Sequence, residues 1–322
     1  APSLSFPIGR LPWRDATAAS LPANGGTGSL AEEGITAWEA RGLEIGVDAR
    51  WEHCIVVFDG EGNMIEAWTQ WDDMLQRPHF VAISPYDPEK HVWVVDDHKH
   101  VIHKFTNDGS ELVQSIGTYG ELGDDETHFN RPSFMDWAPD GSFYVADGYN
   151  GTRVVKFDKD GNYLLEWGEA GQRGGETRPS YWHNVHGIAV HAETGRVFVN
   201  DRSNDRIQVF DRLGNFIRNI NVAWQPATPP EGRRSGTRGT AVVLGFSPDP
   251  EQRLLFVVNQ NSVRVDILNR QSGELLSSFG GGPGRYRSQF TLPHGIGVDS
   301  AGNVYVAEQE GRRIQKFRLV TQ

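Results

Sequence analysis

Three histidines, His79, His186 and His294, stand 107 and 108 residues apart. Each sits near the start of a short apolar run of strand character: RPHFVAI, NVHGIAV and LPHGIGV. Imidazoles brought together from three such positions could hold a divalent transition metal through nitrogen and leave a coordination position for water or substrate. An oxygen on such a metal loses its proton near neutral pH, so the chemistry to expect is metal-assisted proton transfer and bond cleavage. A single histidine at a strand start is usually structural. The regular spacing is what favours a ligand set.

That spacing belongs to a repeat. RPHFVAI, RPSFMDW, NVHGIAV, GTAVVLGF and LPHGIGV occupy equivalent places, their third residues falling at 79, 133, 186, 241 and 294, in steps of 54, 53, 55 and 53. The stretch from Tyr181 shows the internal pattern: GIAV, RVFVN, RIQVF and FIRNI, four apolar runs separated by Gly, Asn and Asp turns. Four antiparallel strands per repeat make a propeller blade. An irregular first unit (GITAW, LEIGV, CIVVF, MIEAW) and a three-stranded last one (HGIGV, NVYVAE, RIQKFRL) bring the count to six. The expected fold is therefore all-β, a six-bladed β-propeller forming a single domain over residues 34–322. Residues 1–33 are an extension rich in Pro, Gly, Ala and Ser. Its LSFPIG segment is expected to close the ring as the outer strand the last unit lacks, removing a free edge. Alternate blades of a six-membered ring are a third of a turn apart, so histidines in units two, four and six would converge on the axis.

The loop after the second strand of each unit should share that end of the ring. It carries Arg50, Asp97, Tyr149, Arg202, Gln260 and Gln309 in turn. Beside a metal, Tyr149 could act as a base, and Arg50 and Arg202 could hold a carboxylate or a developing oxyanion. Without the histidine pattern these would be ordinary loop residues. His53 and His100 precede third strands, as Asp205 does, and read as structural ties of the turn. His91, His98 and His103 share no spatial logic, although His98, next to Asp97, could support the site. Two long connections, Glu169–Tyr181 and Asn221–Thr240, are candidates to roof the channel. The second carries Arg233, Arg234 and Arg238, which read either as a solvated loop or as a carboxylate clamp.

A formal charge of −11 argues against a nucleic-acid or anionic-membrane role. Cys54 is the sole cysteine, which excludes an intramolecular disulfide. No apolar run is long enough to span a bilayer and no signal-peptide pattern is present. The chain begins at Ala1 without Met, so removal of a signal, and with it a secreted or periplasmic location, stays open for what reads as a soluble monomer.

The repeats resemble NHL repeats. The combination ADGYNGTRVVKFDKDGNYLLEWGE, NVHGIAV, NDRSNDRIQVF and LPHGIGV is similar to the six-bladed lyase domain of peptidyl-α-hydroxyglycine α-amidating lyases and their bacterial relatives, over about residues 45 to 318. The resemblance implies a catalytic zinc, or another divalent transition metal, on His79, His186 and His294, with Tyr149, Arg50 and Arg202 at the cavity. It implies a small-molecule or peptide C-terminal substrate bearing a carboxylate, cleaved to an amide and glyoxylate. In that family an aspartate associated with a structural calcium follows the last histidine; Gly295 follows it here, which counts against calcium. Two alternatives remain: another metal-dependent enzyme on the same site, such as a hydrolase or hydratase, and a binding propeller without catalysis.

Overall fold

A computed structural model describes residues 53–222 and 240–319. The described chain is all-β, a propeller whose successive antiparallel sheets follow the expected units. Unit two consists of Pro78–Ile83, Val92–Asp96, Val101–Phe105 and Leu112–Ile116. Unit three consists of Pro132–Trp137, Phe143–Asp147, Arg153–Phe157 and Tyr163–Trp167. Units four and five likewise have four strands, running from Val185 to Asn221 and from Ala241 to Phe279. Unit six has three: Pro293–Val298, Val304–Glu308 and Arg313–Phe317. Among the described residues there are thus five blades rather than six. Unit one contributes the hairpin Val56–Phe58 with Met64–Ala67. Its GITAW and LEIGV segments, the closing strand expected at LSFPIG, and Arg50 lie outside the described residues. No described helix is long and apolar enough to cross a membrane.

The blades form because β-branched and aromatic residues occupy the strands, and because each strand end has a turn that fits it. FDGEGN, FDKDGN and FDRLGN connect third to fourth strands. In each, an Asp carboxylate accepts backbone N–H bonds from the turn, and Gly62, Gly161 and Gly214 supply φ near +90, +89 and +82. The residue just before the third strand is left-handed in units two, four, five and six, and so is His53, three residues before Val56: His53, His100, Asp205, Val263 and Arg312 have φ between 51 and 58. The Asp205 side chain accepts the Thr240 N–H, and His100 Nδ1 accepts the Arg131 N–H, so these residues tie one unit to the next.

A second recurring tie holds the ring's inner end. Asp147, Asp201 and Glu308 close the second strands of units three, four and six. Each carboxylate accepts a backbone N–H from the segment leading into its own unit's first strand and pairs with Arg153, Arg206 or Arg313 at the start of the third. All three acids are buried, which keeps these first-strand heads in register with their loops. Between blades the core is aromatic and aliphatic, as where Trp93 meets Trp137 and Phe143 at centroid distances of 5.8 and 5.2 Å.

Candidate metal centre

The pairing of first and second strands slips at one equivalent place in each of the five blades. The irregularities fall between Pro78 and Phe80, Pro132 and Phe134, Val185 and Ile188, Ala241 and Val243, and Pro293 and Gly295. His79, Ser133, His186, Val242 and His294 lie in those slips. A bulge re-aims the side chain it carries, and here it turns three histidines toward one another. Two residues before these positions, Arg131, Asn184 and Leu292 take φ of 66, 72 and 55 to bring the chain in.

The ligand-capable nitrogens of His79, His186 and His294 all lie within 4.8 Å of one another. Their rings are nearly mutually perpendicular, at 86, 83 and 84°, with centroids 5.2, 5.0 and 4.9 Å apart. Two rings are oriented by the blade that follows. His79 Nδ1–H donates to the Ser133 carbonyl at 2.8 Å, and His186 Nδ1–H donates to the Val242 carbonyl at 2.8 Å. Blades two and four supply imidazoles, while blades three and five supply the carbonyls that fix their tautomer. Both Nε2 lone pairs are thereby left facing the centre, the usual preparation of a histidine for a metal. Gly187 makes the approach possible: a Cβ there would lie 2.7 Å from Val243 Cα and 2.9 Å from the Val242 carbonyl oxygen.

Burial keeps the His79 and His186 rings neutral. His79 is pushed down to about 3 by desolvation and then by the Arg77 guanidinium, with the Ser133 carbonyl opposing. His186, fully buried, is held well below its usual value by burial first, then by Arg202 and the neighbouring histidines. A set of three imidazole nitrogens, two of them neutral and tautomer-fixed, fits zinc, copper, iron or nickel. It does not fit calcium, which takes oxygen ligands.

Tyr149 completes the cluster. Its hydroxyl lies 2.8 Å from His79 Nε2, 2.9 Å from His186 Nε2 and 3.4 Å from His294 Nε2. Its loop is placed by the Tyr149 N–H bond to the Arg131 carbonyl and by Gly148, which packs on the Val185 carbonyl with no room for a side chain. The equivalent N–H of Arg202, Gln260 and Gln309 likewise binds the carbonyl of Asn184, Thr240 or Leu292, so second-strand loops and first-strand heads do share one end. Arg202 is buried. Its Nη2 donates to Gln260 Oε1 at 2.8 Å, and Gln260 Nε2 donates to the carbonyl of Pro293, next to His294. Arg202 Nε has no hydrogen-bond partner among the described residues.

Two further cations belong to the site and were not singled out from the sequence. Arg77 and Arg131 both pair with the buried carboxylate of Asp97, and their guanidinium carbons stand 5.4 and 4.9 Å from the centroid of the Tyr149 ring. The signal that could have found them is the Arg-Pro that opens both RPHF and RPSF. His98 lies near this pair and is pushed down to about 4, by burial first and then by Arg77 and Arg131. His103 lies apart, hydrogen-bonded to Ser115. Of the expected roofing loops, 223–239 lies outside the described residues. The Glu169–Tyr181 connection is held against unit four: Glu176 N–H binds Asn204, Ser180 N–H binds Gln208, and Arg206 binds the Tyr181 carbonyl.

Comparison with known proteins agrees with this architecture. The NHL repeat family matches residues 290–317. NHL repeat-containing protein 3 of Mus musculus is 30% identical over 275 residues, covering 82% of this chain and 72% of that protein. The chain belongs to the NHL repeat family. It is also 28% identical over 257 residues to peptidyl-alpha-hydroxyglycine alpha-amidating lyase 1 of Drosophila melanogaster, covering 74% of this chain and 44% of that protein. It is 29% identical over 259 residues to the peptidylglycine alpha-amidating monooxygenase of Rattus norvegicus, of which it spans 24%. This NHL protein thus spans about a quarter of the length of the amidating monooxygenases it matches. The structure of virginiamycin B lyase from Staphylococcus aureus superposes with a TM-score of 0.51 at 15% identity, over 84% of this chain and 77% of that one, and speaks for the fold alone.

Proposed function

We propose that this NHL protein is a zinc-dependent lyase of the amidating-lyase type, acting on a carbinolamide whose hydroxyl-bearing carbon also carries a carboxylate. One observation carries the reading: imidazoles from alternate blades, two of them neutral with rings fixed by backbone carbonyls, converge on a point that also receives a phenol oxygen. His79, His186 and His294 would hold the metal, which when bound supplies Lewis acidity toward the substrate hydroxyl. The rest of the work falls to the chain. Tyr149, as its phenolate, accepts the hydroxyl proton and returns it to the amide nitrogen as the carbon–nitrogen bond breaks and a carbonyl forms, giving an amide and glyoxylate. The Arg77 and Arg131 guanidinium groups over its ring stabilise negative charge on its oxygen. Arg202, with a neutral amide partner and an orphaned Nε–H, is suited to a substrate carboxylate, with Arg50 as its companion. The names of the amidating relatives and the three-fold spacing support this reading, and the same spacing supports a ring of six blades closed by the N-terminal segment. A monomer with no nucleic-acid or membrane partner belongs to the same proposal.

The test is elemental analysis of protein purified without added metal, beside the His186→Ala variant, together with glyoxylate release from α-hydroxyhippurate. Near-equimolar transition metal, lost in the variant, and metal-dependent glyoxylate are expected. Retained metal without glyoxylate would turn the reading to a different metal-dependent reaction. Protein lacking stoichiometric metal would leave a binding propeller.

A further inference from the structure

The Tyr149 oxygen lies closer to the three histidines than a base waiting beside a metal requires. In a tetrahedral centre with metal–donor bonds of about 2.0–2.1 Å, any two donors stand roughly 3.3–3.4 Å apart. At 2.8, 2.9 and 3.4 Å from the three Nε2 atoms, Tyr149 Oη is within about half an ångström of that spacing from all of them at once. The hydrogen-bond count points the same way. His79 and His186 spend their Nδ1–H on backbone carbonyls, so both present Nε2 as acceptors, and one hydroxyl proton serves only one of them. A cation shared by the nitrogens and the oxygen satisfies both of these Nε2 lone pairs at once. The ring is also held in place. It stands at 87 and 90° to the His79 and His186 rings, beneath two guanidinium groups anchored on buried Asp97, in a loop that Gly148 seats against the next blade.

We propose that Tyr149, as phenolate, is a fourth protein ligand of the resting metal centre, displaced when the substrate oxygen enters. This rests on the metal-site reading above and adds a gate to it. The phenol proton passes to solvent as the metal binds, and the displaced phenolate is then beside the substrate hydroxyl whose proton it takes. The cluster of Arg77, Asp97 and Arg131 positions the ring and stabilises the anion in both states. The metal centre would therefore be closed by its own chain until substrate opens it.

The experiment loads metal-free protein with one equivalent of copper(II), whose phenolate complexes absorb in the visible. Absorption and resonance Raman spectra are then recorded, with bound copper measured separately and His186→Ala as the control for copper at the site. A phenolate-to-copper charge-transfer band with tyrosine ring modes is expected, absent in Tyr149→Phe and bleached by α-hydroxyhippurate. Stoichiometric copper that depends on His186 but shows no such band overturns ligation by Tyr149 and leaves the metal site standing. Failure to take up one equivalent of copper overturns both. A band that persists in Tyr149→Phe overturns the assignment, and a band unchanged at every concentration of α-hydroxyhippurate overturns the gate. Because a wild-type spectrum without the band at stoichiometric copper already overturns ligation, a poorly folded Tyr149→Phe would not shelter the proposal.

Discussion

Gly187→Ala isolates the device on which the metal centre depends, the carbonyl of one blade reaching the imidazole of the blade before it. The added methyl carbon would meet Asn200 Oδ1 at 2.5 Å, Val243 Cα at 2.7 Å and the Val242 carbonyl oxygen at 2.9 Å, where ordinary contact begins at 3.4 Å. The neighbours must therefore retreat by roughly 0.5 to 0.9 Å, and two of the three are backbone atoms that cannot rotate away. The Val242 carbonyl accepts the His186 Nδ1–H at 2.8 Å, and lengthening by about half an ångström takes that bond beyond the usual N–H···O range and weakens it. Loss of such a supporting bond typically costs about 10- to 100-fold in metal affinity. Overpacking costs about 1–3 kcal/mol of stability, offset by about 0.4–1 kcal/mol from the stiffer unfolded chain. Zinc affinity would be measured by chelator competition and stability by urea denaturation of the metal-free protein. Gly245→Ala is the control, because a Cβ there meets only Val298 and Ile296 side chains, at 3.6 and 3.7 Å, and should leave both quantities near wild type. If Gly187→Ala kept zinc affinity within twofold of wild type, the claim that the neighbouring carbonyl sets the His186 ring would be wrong.

Tyr149→Phe is expected to retain stoichiometric metal while lowering kcat by about 10²–10⁴-fold, the usual scale for losing a positioned acid–base group. A variant with unchanged turnover would remove Tyr149 from the chemistry. Asp147→Asn breaks a buried ion pair with Arg153. Because Arg153 keeps Glu166 and three carbonyls, the loss should fall near the lower end of the range for such pairs, about 3 kcal/mol by urea denaturation. His103 offers a pH test away from the site. Burial pushes it from the usual 6.5 down to about 4, so between those values the unfolded chain binds a proton that the folded one does not. Its contribution is present above pH 6.5 and lost as pH falls toward 4, at about 1.4 kcal/mol per pH unit. His103→Gln should flatten the stability–pH curve of metal-free protein by that amount, and an unchanged slope would refute the assignment.

What could be read from the residues was whatever repeats. The period, the four-run pattern and the alternation of histidines across RPHFVAI, NVHGIAV and LPHGIGV are side-chain signals, so strands, blades and the candidate ligand set were legible before any coordinates. Tyr149 and Arg202 came from the same logic applied to the loops. Arg77 and Arg131 did not, because nothing in the Arg-Pro pair says that both guanidinium groups meet one buried Asp97 over the ring of Tyr149, a residue of a different strand loop.

The chain's order of residues by itself determined a repeated β fold and the three places where imidazoles recur. Tertiary structure decided how those imidazoles are aimed. The register slips at His79, His186 and His294 depend on how two strands pair, and the Nδ1 partners are backbone carbonyls at Ser133 and Val242. Every residue has a carbonyl, so which one orients a ring leaves no mark in sequence until the blades close against each other.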